Sequence, residues 1–350
     1  MNKKEIELVK PTWGVGSEKR FFNFIKDLDA KDKIAVFSHT DVDGIVAAKI
    51  ANLVIGANFV RYLNHSEIND DLLKWIKKNK INKIFMSDIA FPDRKYLRKV
   101  EKMAKVVIVD HHTFKEDLNT PKSIFLNAQG FCASYLCYYL FSKTQNLENY
   151  DWLVACASLF DWMFVQNKDW MSAVFEKYGQ KFTLVDKELK QTEFWRLQYE
   201  ISLASIYFND NLSKVSDNLW GMYGNIGDLL SYAKEVDAEI FKQISEFWIK
   251  KEDIKEGYYM EFQSKFPVEA LVVNLLSAGN PNKTFIVSQE KDGLVKVSSR
   301  RQDGKVNLPE LMRSLIVGFE KGSAGGHVKA AGASFPIIYK EEFLKRLKGM

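Results

Sequence analysis

Short apolar runs alternate with amphipathic stretches of helical period from residue 17 to about residue 160. The runs Lys33–Ser38, Asn58–Leu63, Lys83–Asp88, Val106–Asp110 and Ser123–Asn127 are rich in Val, Ile and Phe, as strands buried on both faces are. The stretches between them, Gly44–Gly56, Asn69–Asn79, Asp93–Ala104 and Cys132–Phe141, carry apolar residues at helical spacing. Strand and helix alternating through short connections predict an α/β unit with a mostly parallel sheet covered on both sides.

From about Val165 to Glu256 the pattern changes to aromatic-rich helical periodicity, as in Glu193-Phe194-Trp195-Arg196-Leu197, and no strand is predicted. Helical spacing assigns these aromatics to helix packing rather than to a base-stacking surface. The β signal returns at Ala270–Asn274, Thr284–Ser288 and Leu294–Arg300, the last alternating at period two. A helix from about Asn307 to Val317, a loop Gly322–His327, a strand-like Ala333–Tyr339 and a last helix Glu341–Leu347 complete an α+β unit. The expected organisation is therefore an α/β domain with an N-terminal helix over 1–164, a helical connector or insertion over 165–257, and a smaller α+β domain over 258–350 across a cleft from the first.

Composition narrows the class without fixing it. At 350 residues the chain can bury two cores, 46% of it is hydrophobic, and no segment approaches the ~20 continuous apolar residues of a membrane span. The charged start Met1-Asn2-Lys3-Lys4-Glu5 lacks an apolar signal core, and only Cys132, Cys137 and Cys156 occur, so a reducing cytoplasm is the expected compartment. The net charge of +5 is mild and its lysines are scattered. That balance allows a few phosphate contacts without demanding duplex binding, and most of these lysines read as ordinary solvated helix faces.

The chemistry is concentrated in the histidines. Four of five sit in His39-Thr40-Asp41-Val42-Asp43-Gly44, Asp110-His111-His112 and Gly325-Gly326-His327. Both acidic clusters follow an apolar run, as Asp88 does after Lys83-Ile84-Phe85-Met86-Ser87, so all three emerge at strand ends, where α/β sheets place ligand sites. Carboxylate oxygens and imidazole nitrogens suit Mn2+ or Mg2+, and a pair of ions needs a carboxylate able to bridge them. Taken alone, Asp41-Val42-Asp43-Gly44 is equally a surface turn or an N-cap. Two adjacent histidines at a strand end are more telling, since both cannot point into the core.

In these motifs, in this order, the chain resembles the DHH phosphoesterase superfamily, with residues about 31–162 similar to the catalytic domain and about 258–350 to its C-terminal associated domain, as found in RecJ-type exonucleases and NrnA-type oligoribonucleases. The resemblance implies that His39, Asp41 and Asp88 hold one divalent cation and Asp43, Asp88, His111 and Asp161 a second, with Asp88 as the bridge. Asp161, after Ala157-Ser158-Leu159-Phe160, is equally a helix-cap aspartate. His112 would face the phosphate and Asp110 would orient its neighbours. Oligoribonucleases of the superfamily have three residues between the first histidine and the first aspartate where His39-Thr40-Asp41 has one, a spacing closer to the RecJ-like motif.

Gly325, Gly326 and His327 resemble the substrate loop of the associated domain, with Arg300 as a planar fork for phosphate and Arg301 as an exposed neighbour. A helix cap followed by a turn is the alternative for that loop. Asn127 and Ser134 are candidates for substrate contact, with capping an equal explanation for Ser134, and His65 is left outside the site as a loop residue. The resemblance thus implies a two-metal phosphodiesterase acting from an end on short single-stranded RNA or DNA, with two ions, Mn2+ before Mg2+, no membrane partner and a homodimer admissible. A hydrolase of dinucleotides or small nucleotides, and a catalytically silent nucleic-acid-binding protein, are the alternatives.

Overall fold

The structure, a computed structural model, describes residues 6–349. The chain divides into two compact units, Met1–Ala233 and Lys234–Met350.

The first unit is built on five parallel strands, β1 (Ile34–Ser38), β2 (Phe59–Tyr62), β3 (Lys83–Ser87), β4 (Lys105–Asp110) and β5 (Ser123–Asn127), in the order β2-β1-β3-β4-β5. Among the described residues its helices are α1 (Glu18–Lys26), α2 (Val42–Ile55), α3 (Asp70–Lys78), α4 (Arg94–Val100), α5 (Ala133–Phe141), α6 (Asp151–Phe160), α7 (Lys168–Lys177), α8 (Asp186–Leu189), α9 (Glu193–Tyr207) and α10 (Ser213–Asp217). Alternate side chains of the strands enter different cores, as β-geometry requires. Ala35, Phe37, Ile84, Met86, Val106 and Ile108 meet Leu72 and Ile76 of α3 and Leu97 and Val100 of α4. Val36, Phe85, Val107 and Val109 meet α2, α5 and α6.

Trp170, Met171, Val174 and Phe175 of α7, with Phe194, Leu197 and Ile201 of α9, join that second core. The helices α7 to α10 are thus a thickening of the first unit's own interior. Apolar side chains surround α2, α5 and α6 on nearly every side because these helices are sandwiched between the sheet and that outer layer. A sheet ordered 2-1-3-4-5 reverses its winding between β1 and β3, and the C-terminal strand ends there open onto the natural ligand position.

The second unit holds a six-stranded sheet in the order β10-β11-β9-β8-β7-β6, comprising β6 (Glu252–Ile254), β7 (Gly257–Glu261), β8 (Thr284–Lys291), β9 (Leu294–Arg300), β10 (Ser323–His327) and β11 (Ala330–Pro336). Within it β7 and β8 pair in parallel, and the other neighbours pair antiparallel. The long α11 (Leu229–Lys250) leads into it, and α12 (Glu269–Ala278), α13 (Leu308–Leu315) and α14 (Lys340–Lys348) pack around it. Val295 and Val297 of β9 and Ala331, Ala333 and Phe335 of β11 face α13 and α14, burying Leu308, Met312, Leu315, Phe343 and Leu347. Lys296, Ser298 and Arg300 therefore lie on the opposite face of β9.

Three expectations change here. Ala270–Asn274 is not a strand but the start of α12, because Val272, Val273, Leu276 and Ser277, the buried residues of that segment, recur at helical spacing. Residues 323–327, expected as loop, form the edge strand β10 paired with β11. A short strand, β6, also occurs within the stretch read as wholly helical.

Candidate metal centre

His39 follows β1, Asp88 follows β3, and Asp110 ends β4 with His111 directly after it, so three neighbouring strands deliver the cluster to one edge of the sheet. Asp88 is its middle. It is 2% exposed, and its backbone has φ 58, the left-handed region that aspartate tolerates better than most residues. One carboxylate oxygen, Oδ1, lies 3.2 Å from His111 Nε2, and the other, Oδ2, lies 3.7 Å from His39 Nδ1. Burial first, and then the charges of Asp43, Asp41 and Asp161, push the Asp88 carboxyl well above the ordinary carboxylate range.

Asp41 and Asp43 owe their places to the first turn of α2. Asp41 is the N-cap, accepting from the Gly44 amide at 3.0 Å while its Oδ2 meets His39 Nδ1 at 2.8 Å. Burial works against ionisation of Asp41, but the His39 ring and the Gly44 amide together hold its carboxyl below the usual value. The same contact with Asp41 raises His39 above the ordinary imidazole range. Asp43, fully buried, accepts from the backbone amides of Ala133 at 2.7 Å and Ser134 at 2.8 Å, so the N-terminus of α5 locks its orientation. Burial nevertheless pushes its carboxyl up.

Gly44 is needed for closeness rather than for an unusual turn, since a Cβ there would stand 2.4 Å from the His39 carbonyl oxygen. Gly44→Ala should cost about 3 kcal/mol through overpacking against backbone and should displace His39 and Asp41 together. Chemical denaturation checks the first part, and a weakened Mn2+-induced rise in melting temperature checks the second.

His111 and His112 separate at the strand end as expected. The His111 side chain is 5% exposed, and its Nε2 lies 3.2 Å from Asp161 Oδ2 and 3.9 Å from Asp43 Oδ2. Burial holds its imidazole below the ordinary range. The His112 side chain is 53% exposed, and its Nδ1 sits 2.9 Å from Asp110 Oδ1, a contact that raises the His112 ring above its ordinary value. The same Asp110 oxygen accepts from the His111 amide at 2.8 Å and from the His112 amide at 3.4 Å, clasping the turn that presents both rings. Asp161, at the C-cap of α6, points inward at His111 and is pushed up to about 8 by burial and by the charges of Asp43 and Asp41. A carboxylate at a helix C-terminus has the wrong sign for the helix dipole. Capping is thus a poor reason for its presence.

These residues fall into three groups whose ligating atoms lie within 4.8 Å of one another, namely His39, Asp41 and Asp88; Asp43, His111 and Asp161; and Asp88, Asp110, His111 and His112. Among the described residues no other group of this kind occurs. Asp88 Oδ2, Asp161 Oδ2 and His111 Nδ1 are buried without a hydrogen-bond partner. Buried polar atoms are normally satisfied, so acidic and imidazole groups left open side by side fit divalent cations.

Sequence reasoning missed several supports. The His65 ring, set aside as a loop residue although it follows the second predicted strand, stands 6.0 Å from the His39 ring, near enough to belong to the rim of the cluster. Asn127 and Ser134, considered for substrate contact, are buried instead. Asn127 Nδ2 donates to the His112 carbonyl, and Ser134 contributes the amide that holds Asp43.

In the second unit Gly325 and His327 lie on β10 opposite Gly332 and Ala330 of β11. Gly326 has φ 135 and approaches the Ala330 carbonyl, whereas open space surrounds the place where a Gly325 side chain would stand. Arg300 is half-buried with its Nε unpartnered. Arg301 corrects an expectation: it is 5% exposed, its guanidinium pairing with Asp303 at 2.7 Å and with Glu256. A cavity of about 680 Å³ opens on the sheet face carrying Lys296, Ser298, Gly325 and Gly332, with Lys265 and Lys291 at its wall.

A doubly wound sheet with a cage of aspartates and histidines at its switch point defines a metal-binding α/β protein. The model of the DHH family N-terminal domain matches residues 33–160 and that of the DHHA1 domain matches residues 268–350. The chain belongs to the DHH phosphoesterase superfamily, whose members are metal-dependent hydrolases of phosphate esters. No curated protein matches it.

Among solved structures it is similar to the exonuclease RecJ bound to manganese, at 16% identity and TM-score 0.68 over 98% of this chain and 95% of that one. RecJ from Thermus thermophilus in complex with Mn2+ matches at 15% identity and TM-score 0.65, over 98% of this chain and 55% of that longer one. A pGpG-specific phosphodiesterase from Vibrio cholerae matches at 14% identity and TM-score 0.51, over 91% and 98%. No helix among the described residues is long and apolar enough to cross a membrane.

Proposed function

We propose that this protein is a two-metal phosphodiesterase that removes nucleotides from an end of short single-stranded RNA or DNA. The observation that carries the reading is the placement of Asp88, one carboxylate oxygen toward His39 and the other toward His111, with Asp41 completing the first side and Asp43 and Asp161 the second. These residues would hold divalent cations, Mn2+ before Mg2+, which would supply Lewis-acid activation of water and positive charge for the phosphate.

The remaining work falls to side chains. Asp110 fixes His112 through Nδ1, which leaves the other nitrogen of a half-exposed ring to donate to phosphate oxygens as charge builds on them. Arg300, with Gly325, Gly326 and His327, grips the nucleotide. The unpartnered Arg300 Nε and the open space above Gly325 support that role. Asp110 and His112 are the catalytic pair in this reading, and His39, Asp41, Asp43, Asp88, His111 and Asp161 are the metal ligands.

A second reading, hydrolysis of dinucleotides, has a specific basis in the likeness along nearly the whole chain to a phosphodiesterase described as specific for pGpG. Labelled RNA and DNA oligomers of two to ten nucleotides, digested in Mn2+, separate the two. Stepwise shortening of the longer oligomers is expected. Cleavage confined to the dinucleotides would replace the exonuclease reading by the second.

A further inference from the structure

Trp162 follows Asp161 in the chain and occupies the position after the C-cap of α6. The Trp162 amide donates to the Leu159 carbonyl at 3.2 Å and the Met163 amide to the Ser158 carbonyl at 3.0 Å, which is the Schellman pattern of helix termination. That pattern places Trp162 at φ 57, where glycine is the usual occupant and a bulky side chain is an outlier. Its side chain is also 51% exposed. Neither feature serves folding, since glycine would end the helix with less strain and an indole gains by burial. Backbone strain of this kind gathers at functional sites, and the other strained residue of this region is Asp88.

The ring has the surroundings of a stacking platform. Trp195 of α9 lies edge-on to it with centroids 5.3 Å apart, and Phe164 supports it at 5.9 Å. The Lys190 ammonium stands 5.7 Å from the Trp162 ring and 5.6 Å from the Trp195 ring, while also pairing with Asp186 at 2.8 Å. Exposed aromatic faces with a neighbouring cation are how single-stranded nucleic acid is held without regard to sequence.

We infer that Trp162, steadied by Trp195 and Lys190, stacks the base of the nucleotide whose phosphate is cut. The basis is chain continuity, because Trp162 is one peptide unit from Asp161, whose carboxylate lies 3.2 Å from His111. The inference rests on the phosphodiesterase reading above and adds a base subsite to it. Sequence tolerance follows, since every base has a π-face.

Trp162→Asn tests it, because asparagine accepts the left-handed backbone while removing the ring. Three substrates are compared in Mn2+: a single-stranded pentamer, the same pentamer with abasic terminal nucleotides, and bis(p-nitrophenyl) phosphate. Binding of the two pentamers is also followed by fluorescence anisotropy in EDTA, which needs no turnover. Trp162→Asn should lower kcat/KM on the normal pentamer roughly tenfold and weaken its binding, with both abasic binding and turnover of the small diester unchanged. Trp162→Phe should recover most of the loss.

An equal loss on all three substrates would make Trp162 a structural support of Asp161 and overturn the inference. So would no loss on any, or a changed oligomeric state with unaltered kinetics, which would assign the ring to contact between copies of the chain. Wild-type protein that cleaves the small diester but neither binds nor cleaves the pentamer would instead refute the nucleic-acid reading itself, and this subsite with it.

Discussion

Asp88→Asn should abolish hydrolysis, lowering turnover roughly 10³-fold or more, and yet leave a protein that folds better than the wild type once metal is removed. The two effects share one cause. Asp88 is 2% exposed and surrounded by Asp43, Asp41 and Asp161, so its carboxylate is tolerable only with compensating positive charge. The amide keeps the shape and the tolerance for φ 58, which alanine would not, and it removes the charge. It cannot bridge two cations as a carboxylate does. Calorimetry in EDTA should show a higher melting temperature for the variant, and titration of Mn2+ should show that its metal-induced rise is largely gone. Substantial retained turnover in Mn2+ would show that the bridge lies elsewhere.

What was legible in the chain follows from which residues carry their own context. Strands β1, β3, β4 and β5 announced themselves because they are buried on both faces, and a carboxylate or histidine directly after such a run has few places to go but a strand end. His39, Asp88 and His111 were visible on that ground, and Asp161 much less so. Its local sequence fits an ordinary helix end, and only the folded chain shows it aimed at His111.

Other features were hidden for equally physical reasons. A run such as Ala270-Leu271-Val272-Val273 is apolar at strand and helix spacing alike, and the burial of Leu276 and Ser277 one turn later decides for α12. Arg300 and Arg301 are chemically identical in sequence, but alternation along β9 sets Arg300 on the face away from α13 and α14, while Asp303 and Glu256 take Arg301. Helical periodicity assigned Phe194 and Trp195 alike to packing. Phe194 is fully buried, whereas Trp195 is partly exposed beside Trp162. Periodicity reports which face of a helix turns inward, and it is silent about a flank meeting a neighbouring helix end.

Stripped of divalent cations, the protein should lose stability as pH rises from about 4 toward about 8, the reverse of ordinary acid denaturation. Asp161 is pushed up to about 8, and Asp43 and Asp88 are also raised, in each case by burial before any neighbouring charge. In the unfolded chain these carboxyls ionise near 3.9. Between the two values the folded state holds protons that the unfolded state has released, so the slope of stability against pH is negative, about 1.4 kcal/mol per pH unit for each such proton.

His111, lowered by burial, adds an opposing contribution below about pH 6.5, whereas His39 and His112, raised by their aspartate partners, hold protons above that value and deepen the same fall. Between pH 7 and 8 Asp161, pushed up to about 8, still holds its proton in part, and the two raised histidines act in the same direction. Melting temperature in EDTA should fall across that interval, and the rise produced by saturating Mn2+ should grow across it, because ions that displace those protons bind more tightly as fewer remain. Calorimetric binding in buffers of different ionisation enthalpy should record protons released with the metal. A metal-free melting temperature that stays level or climbs from pH 7 to 8, with a metal-induced rise independent of pH, would mean that Asp161 is already ionised and compensated by other means.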